Sequence, residues 1–173
     1  AGCGGARVPG GSTITQQVVR NILFDFEYRN EVSVTRKVEE IILAMFLTQR
    51  RSKEDIITLY LNEIYYGNLA YGAQAAAQTF FGKDVGDLTL GESALLAGLP
   101  QAPSTLDPLN PDPEVQSRLY ARWRLVLDEM VEEGYITSEE RAAALAEGLT
   151  FVERDANNLE APHFTVYAQN EFE

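Results

Sequence analysis

Apolar residues recur at helical spacing along most of the first 150 positions, and almost nowhere in the alternation that marks a strand. Ser12, Thr13 and Thr15 follow Gly10 and Gly11 as a plausible helix start, and Val18, Val19, Ile22 and Leu23 supply its apolar stripe. A polar loop is expected from Asp25 to Glu31. The next helix is expected from near Ser33 to about Arg51, with Val38, Ile41, Ile42, Met45 and Gln49 on one side.

Ser52-Lys53-Glu54-Asp55 has the form of a capping box, opening a helix that carries Ile56, Ile57, Tyr60, Leu61 and Ile64 before Gly67. An Ala-rich helix follows over roughly 71–80, closed by Gly82, and Thr89-Leu90-Gly91-Glu92 is a second box whose helix ends near Gly98. Five of the seven prolines fall between Pro100 and Pro113, which predicts a loop. Asp112-Pro113 then fits an N-cap followed by proline at the first helical position, opening a long helix to about Glu133. Thr137 to Glu140 starts a last helix ending near Gly148. From 150 to 173 the helical period is lost, which predicts a domain over 1–149 and, over 150–173, a linker or the edge of another domain. The fold class is mainly α.

Composition narrows the chemistry. The 173 residues hold one cysteine, Cys3, and one histidine, His163, so disulfide frameworks and Cys- or His-rich metal sites are excluded. The longest unbroken apolar run, Ile41 to Leu47, is far short of the roughly 20 residues a membrane helix needs. A net charge of −12 argues against a nucleic-acid partner. The charge is uneven, however. Residues 1–53 hold 8 basic and 5 acidic side chains, a balance of +3, whereas 54–173 hold 6 and 21, a balance of −15. An anionic ligand would be met by the N-terminal third.

Within that third, Arg36, Lys37 and Glu40 share one helix face at i,i+3 and i,i+4 spacing. The bland reading is a surface ion pair worth a few tenths of a kcal/mol. Two details weaken it: the basic residues precede the acid, and they sit in the first turn, where the helix dipole disfavours cations. The Gly10–Gln17 segment gathers hydroxyls, amides and helix-start N–H groups able to grip phosphate or sugar oxygens, or simply to cap a helix. Arg50, Arg51 and Lys53 add positive charge at a helix junction. Tyr60 to Gly67 ends a helix in aromatics around Asn62, a poor interior helix former that wants a polar partner.

Taken in order, these segments resemble the peptidoglycan glycosyltransferases of family 51, found alone or as the N-terminal half of class A penicillin-binding proteins. Gly10 to Gln17 matches the motif G-x-S-T-I-T-Q-Q, Arg36 to Glu40 matches R-K-x-x-E, and Lys53 to Asn62 matches K-x-x-I-L-x-x-Y-L-N with Ile57 for Leu. Phe81-Gly82-Lys83, the run Leu88 to Glu92 and Gln101 to Ser104 are also similar to the family. The resemblance covers about residues 10–150.

The resemblance implies a lysozyme-like helical domain on the outer face of the bacterial cytoplasmic membrane. It implies polymerisation of lipid II, with the growing glycan leaving undecaprenyl pyrophosphate for the 4-hydroxyl of the next lipid II, with inversion. By motif position Glu40 is the catalytic carboxylate that assists at, or positions, the donor pyrophosphate. Arg36 and Lys37 would bind the diphosphate beside Arg20. Ser12, Thr13, Gln16 and Gln17 would line the cleft, and Lys53, Asn62 and Tyr65 would complete substrate binding. The implied partners are lipid II, the nascent glycan strand, the membrane surface and a cell-wall synthesis complex. No tightly bound cofactor is implied beyond a magnesium or manganese ion at the donor pyrophosphate.

Three departures from the family pattern stand out. The motif E-D-x-x-F-x-x-H-x-G, which carries the family's general base, is absent, so the chain is expected to be a fragment incomplete at its N-terminus and inactive alone. Val32 stands where the family often has an arginine, with Arg29 as a nearby substitute. The late R-R-x-x-V-L motif appears as Arg122-Trp123-Arg124-Leu125-Val126-Leu127. Two alternatives remain at this point: a lysozyme-like hydrolase, which needs a proton-donating Glu in an apolar pocket, and a non-catalytic module presenting its acidic helical face.

Overall fold

The structure, a computed structural model, describes residues 12–152. Among these, eight α-helices and one short hairpin follow in the order α1 (Ile14–Leu23), α2 (Phe26–Asn30), α3 (Val34–Arg50), α4 (Lys53–Glu63), β1 (Tyr65–Gly67), β2 (Ala70–Tyr71), α5 (Ala73–Phe81), α6 (Leu90–Gly98), α7 (Pro113–Glu132) and α8 (Ser138–Glu147). The fold is mainly α, as the periodicity predicts.

Side-chain caps set most helix starts. Thr13 Oγ1 accepts from Gln16 N, and Ser33 Oγ accepts from Arg36 N, each at 3.3 Å. Ser52–Asp55, Thr89–Glu92 and Thr137–Glu140 form complete capping boxes, each satisfying backbone donors that the helix itself leaves orphaned. Asp112 caps α7 ahead of Pro113. Gly82 ends α5 in the left-handed conformation, at φ 66°.

The main core is built by residues from Ile64 onward. α6 packs on α7, and α8 covers both. Phe80, Leu95, Leu99, Leu119, Trp123 and Leu127 are buried there, each such side chain contributing about 1.5–3 kcal/mol through removal from water. The Trp123 indole N–H donates to the Gly91 carbonyl at 2.8 Å, so a large buried ring keeps its polar atom satisfied. Gly91 makes this approach possible, since a Cβ there would lie 3.3 Å from the indole. The chain then returns to α5: Phe151 stacks on Phe81 at 5.6 Å, and Val152 N donates to Phe80 O. The remaining residues of the expected linker lie outside the described ones.

The first half is thinner. α1 packs on α3 and α4, with Val18, Val19, Ala44 and Ile56 buried between them. Two expectations change here. The segment Asp25 to Glu31 is not a plain loop, because the Asp25 carboxylate accepts from Tyr28 N at 2.8 Å and starts the short helix α2. A strand pair also exists before residue 150. β1 and β2 are antiparallel and joined by Asn68 and Leu69, both at positive φ (49° and 61°), the conformation a two-residue hairpin loop requires. Strands of three and two residues are too short for alternation to reveal.

Candidate functional site

The N-terminal end of α3 builds an ionic cluster around a buried carboxylate. Glu40 has no exposed side-chain surface, while Arg36 is 12% exposed and Lys37 37%. Arg36 Nη1 donates to Glu40 Oε2 at 2.7 Å, and Lys37 Nζ donates to Glu40 Oε1. The surface ion pair suggested by spacing alone is therefore overturned: both carboxylate oxygens sit inside the protein, each against a cation.

α1 closes the other side of the cluster. Lys37 Nζ also donates to Ser12 Oγ at 2.8 Å and to Gln16 Oε1 at 3.1 Å. Gln17 Nε2 reaches the Ser12 carbonyl at 3.5 Å. Burial alone would push the Glu40 carboxyl up, but the hydrogen bonds from Lys37 and Arg36, with the charges of Lys37 and Arg20, outweigh it and hold the group below the ordinary carboxylate range. Glu40 is thus an anion held between two cations.

Next to this cluster, and sharing Arg20 with it, lies a cavity of about 720 Å³, walled by Arg20 and Asn21 of α1, Arg29 and Asn30 of α2, the corner Glu63-Ile64-Tyr65, Tyr71, Pro100 and Pro103. Gly72 permits the corner. It has φ +83°, and a Cβ there would lie 2.5 Å from the Asn62 carbonyl oxygen. Tyr65 and Tyr71 pair across the hairpin with ring centroids 4.9 Å apart.

The residues singled out from sequence do not all come together. Ser12, Gln16, Arg36, Lys37 and Glu40 are bonded together, with Gln17 beside them and Arg20 linking the cluster to the cavity. Tyr65 lines the cavity, and Thr13 caps α1 and borders a separate groove with Met45 and Thr48. Asn62 is exposed and offers its backbone, not its amide, to the Gly72 corner. Lys53 is exposed at the opposite end of α4 from Glu63, about 15 Å of helix away. Sequence reasoning passed over Asn21, Asn30, Glu63 and Tyr71. Glu63 lies inside the aromatic segment that drew notice and Tyr71 four residues beyond it, and the hairpin brings both to the cavity.

Among the described residues, no cluster of three or more His, Cys, Asp or Glu side chains is placed to hold a metal. Both Glu40 oxygens are already engaged by cations. Glu40 therefore offers no free carboxylate oxygen to a magnesium or manganese ion.

The order of these segments is shared with known proteins. A family model described as transglycosylase matches residues 2–131. The chain belongs to the transglycosylase family. Penicillin-binding protein 1A of Vibrio cholerae is 50% identical over 143 residues, covering 83% of this chain and 16% of that protein. The protein of the same name from Neisseria flavescens is 47% identical over 152 residues, covering 87% and 18%. The crystal structure of penicillin-binding protein 1A from Haemophilus influenzae superposes with a TM-score of 0.58 at 34% identity, covering 91% of this chain and 19% of that one. The chain thus spans under a fifth of the length of these relatives. The mainly helical, lysozyme-like class implied by the motifs agrees with this transglycosylase match and with the order of helices. The motif R-K-x-x-E of the transglycosylase chain is here a buried, doubly neutralised carboxylate.

Proposed function

We propose that this chain forms the donor side of a peptidoglycan glycosyltransferase that polymerises lipid II. On this reading C1 of the growing glycan is attacked by the 4-hydroxyl of the next lipid II. The new glycosidic C–O bond forms with inversion as the bond to undecaprenyl pyrophosphate breaks, and the hydroxyl proton passes to a base on the acceptor side. The observation that carries the reading is the Arg36–Glu40–Lys37 cluster set beside a cavity walled by Arg20 and Arg29.

A departing diphosphate gathers negative charge as its bond breaks. Fixed cations facing it stabilise the transition state more than the ground state, which raises the rate and not merely affinity. Glu40 keeps Arg36 and Lys37 in place; it is a positioning residue in this scheme, with both oxygens occupied. A magnesium or manganese ion belongs, on this reading, to the diphosphate and not to the protein. The hydrolase alternative fares worse, because it needs a carboxyl held protonated, and Glu40 is pushed the other way.

The reading places the protein at the outer face of the bacterial cytoplasmic membrane, among the machinery of cell-wall synthesis, with lipid II and the glycan strand as partners. No helix among the described residues is long and apolar enough to cross a membrane. α3 does leave Val34, Val38, Ile41, Ile42, Met45 and Phe46 exposed, which supports contact with a lipid surface.

The test is incubation of the full-length protein with lipid II, measuring glycan strands and undecaprenyl pyrophosphate together. Both products are expected. Muropeptides released from purified peptidoglycan, with no strand growth, would instead favour a hydrolase.

A further inference from the structure

We propose that Glu63 and Tyr71 form a saccharide subsite in the 720 Å³ cavity, taking the sugar joined directly to a diphosphate that Arg20 and Arg29 attract. On the glycosyltransferase reading, on which this subsite rests, that sugar is the unit of the growing glycan that leaves the diphosphate.

The Glu63 side chain stands where the fold gains nothing from it. It is the last residue of α4, whose final turn holds no basic residue, so its charge lies where the helix dipole disfavours an anion. Among the described residues it makes no hydrogen bond and no ion pair, although two arginines line the same cavity. Both carboxylate oxygens keep their acceptor capacity for a ligand.

Tyr71 is 56% exposed and lines the cavity as well. The backbone brings the two residues to one corner. Gly72 N donates to Ile64 O at 2.9 Å, tying the residue after Tyr71 to the residue after Glu63. Tyr65 is the register partner of Tyr71, and its ring backs the Tyr71 ring at 4.9 Å between centroids. The corner therefore presents a supported aromatic ring beside an unpaired carboxylate.

That pair suits a sugar and not a phosphate. A carboxylate repels a diphosphate, whereas the hydroxyls and N-acetyl N–H of an uncharged pyranose donate to it, and bonds to an ionised acceptor are the stronger kind. The C–H face of the sugar can lie on a tyrosine ring, which is apolar across its face and polar only at its tip. The cavity volume falls within the roughly 300–1,000 Å³ usual for ligand pockets, enough for a sugar and its diphosphate together. Charge then sorts the ligand, with phosphates drawn to the guanidiniums and the neutral ring left to Glu63 and Tyr71.

The experiment uses full-length protein with Glu63→Gln, Tyr71→Ala and Tyr71→Phe. Calorimetry measures affinity for inorganic pyrophosphate and for N-acetylglucosamine 1-diphosphate, beside steady-state polymerisation of lipid II. The parent is expected to prefer the sugar diphosphate by about tenfold. Glu63→Gln, which removes the repulsion, is expected to bind pyrophosphate about 2- to 5-fold more tightly while the preference for the sugar diphosphate falls about 3- to 10-fold. Tyr71→Ala is expected to weaken the sugar diphosphate about 3- to 10-fold with pyrophosphate within about twofold, and Tyr71→Phe, which keeps the ring, to match the parent within about twofold. Glu63→Gln and Tyr71→Ala are expected to raise KM for lipid II about 3- to 10-fold with kcat within about twofold. A parent without the preference, a Glu63→Gln variant with both affinities unchanged, or a Tyr71→Ala variant that weakens both ligands equally would overturn the subsite. A parent that shows the preference yet makes no glycan strands would sink the polymerase reading and leave the subsite standing.

Discussion

The carboxylate of Glu40 is completely buried and accepts a 2.7 Å hydrogen bond from the guanidinium of Arg36, itself only 12% exposed. With Lys37 on its second oxygen, Glu40 satisfies two cations at once. A pair of this kind adds little to stability when complete, yet costs much when one partner is removed, because the partner left behind is an uncompensated charge. Its value lies in geometry. It fixes two cations on one helix face.

Glu40→Ala is accordingly expected to destabilise the fold by about 3–5 kcal/mol, as removal of one member of a buried pair does. Glu40→Gln keeps the shape and one acceptor, so a smaller loss of about 1–3 kcal/mol is expected. Chemical denaturation of the two variants beside the parent checks both values.

Acid sensitivity follows from the same group. The native carboxyl of Glu40 titrates below its ordinary value of 4.5, so the unfolded chain binds the proton at higher pH than the native state does. The stability this supplies is fully present above about pH 4.5 and is lost as pH falls through the native value. Thermal melts of the parent are expected to decline over that acid range more steeply than those of Glu40→Gln. Parallel curves would count against the assignment.

Much of this architecture is legible in the sequence, and the exceptions share a cause. Hydroxyl and acidic caps at Thr13, Ser33, Ser52, Thr89, Asp112 and Thr137 act through neighbours three or fewer residues away, so they can be read locally. Arg36, Lys37 and Glu40 share a face by spacing alone, but their burial depends on α1 lying across them, which no local pattern encodes. α2 is hidden because Asp25 to Asn30 is short and polar. The α3 stripe of Val38, Ile41, Ile42 and Met45 suggests a core face, yet these residues are exposed and Glu40 and Ala44 are buried. The cavity wall of Glu63, Tyr65 and Tyr71 exists only because the hairpin folds back.

Gly72 carries that fold-back. Gly72→Ala demands positive φ from a side-chain-bearing residue and drives a Cβ to 2.5 Å from Asn62 O. A loss of roughly 2–3 kcal/mol is expected, read as a lower denaturation midpoint with unchanged m-value.

Trp123→Phe removes the indole donor and leaves the Gly91 carbonyl buried without its 2.8 Å partner. The expected cost is about 1–3 kcal/mol. Because Trp123 lies in the main core and is not among the residues lining the cavity, kcat and KM per folded molecule are expected to stay within about twofold of the parent. A specific loss of activity without loss of stability would argue that this core acts on the site.

The most direct test of the central claim is the rate of lipid II polymerisation by full-length protein carrying Glu40→Gln, normalised to the folded fraction. Weakened anchoring of Arg36 and Lys37 is expected to lower kcat by roughly 100-fold or more while the fold persists. A kcat within about twofold of the parent would contradict the role assigned to this buried carboxylate.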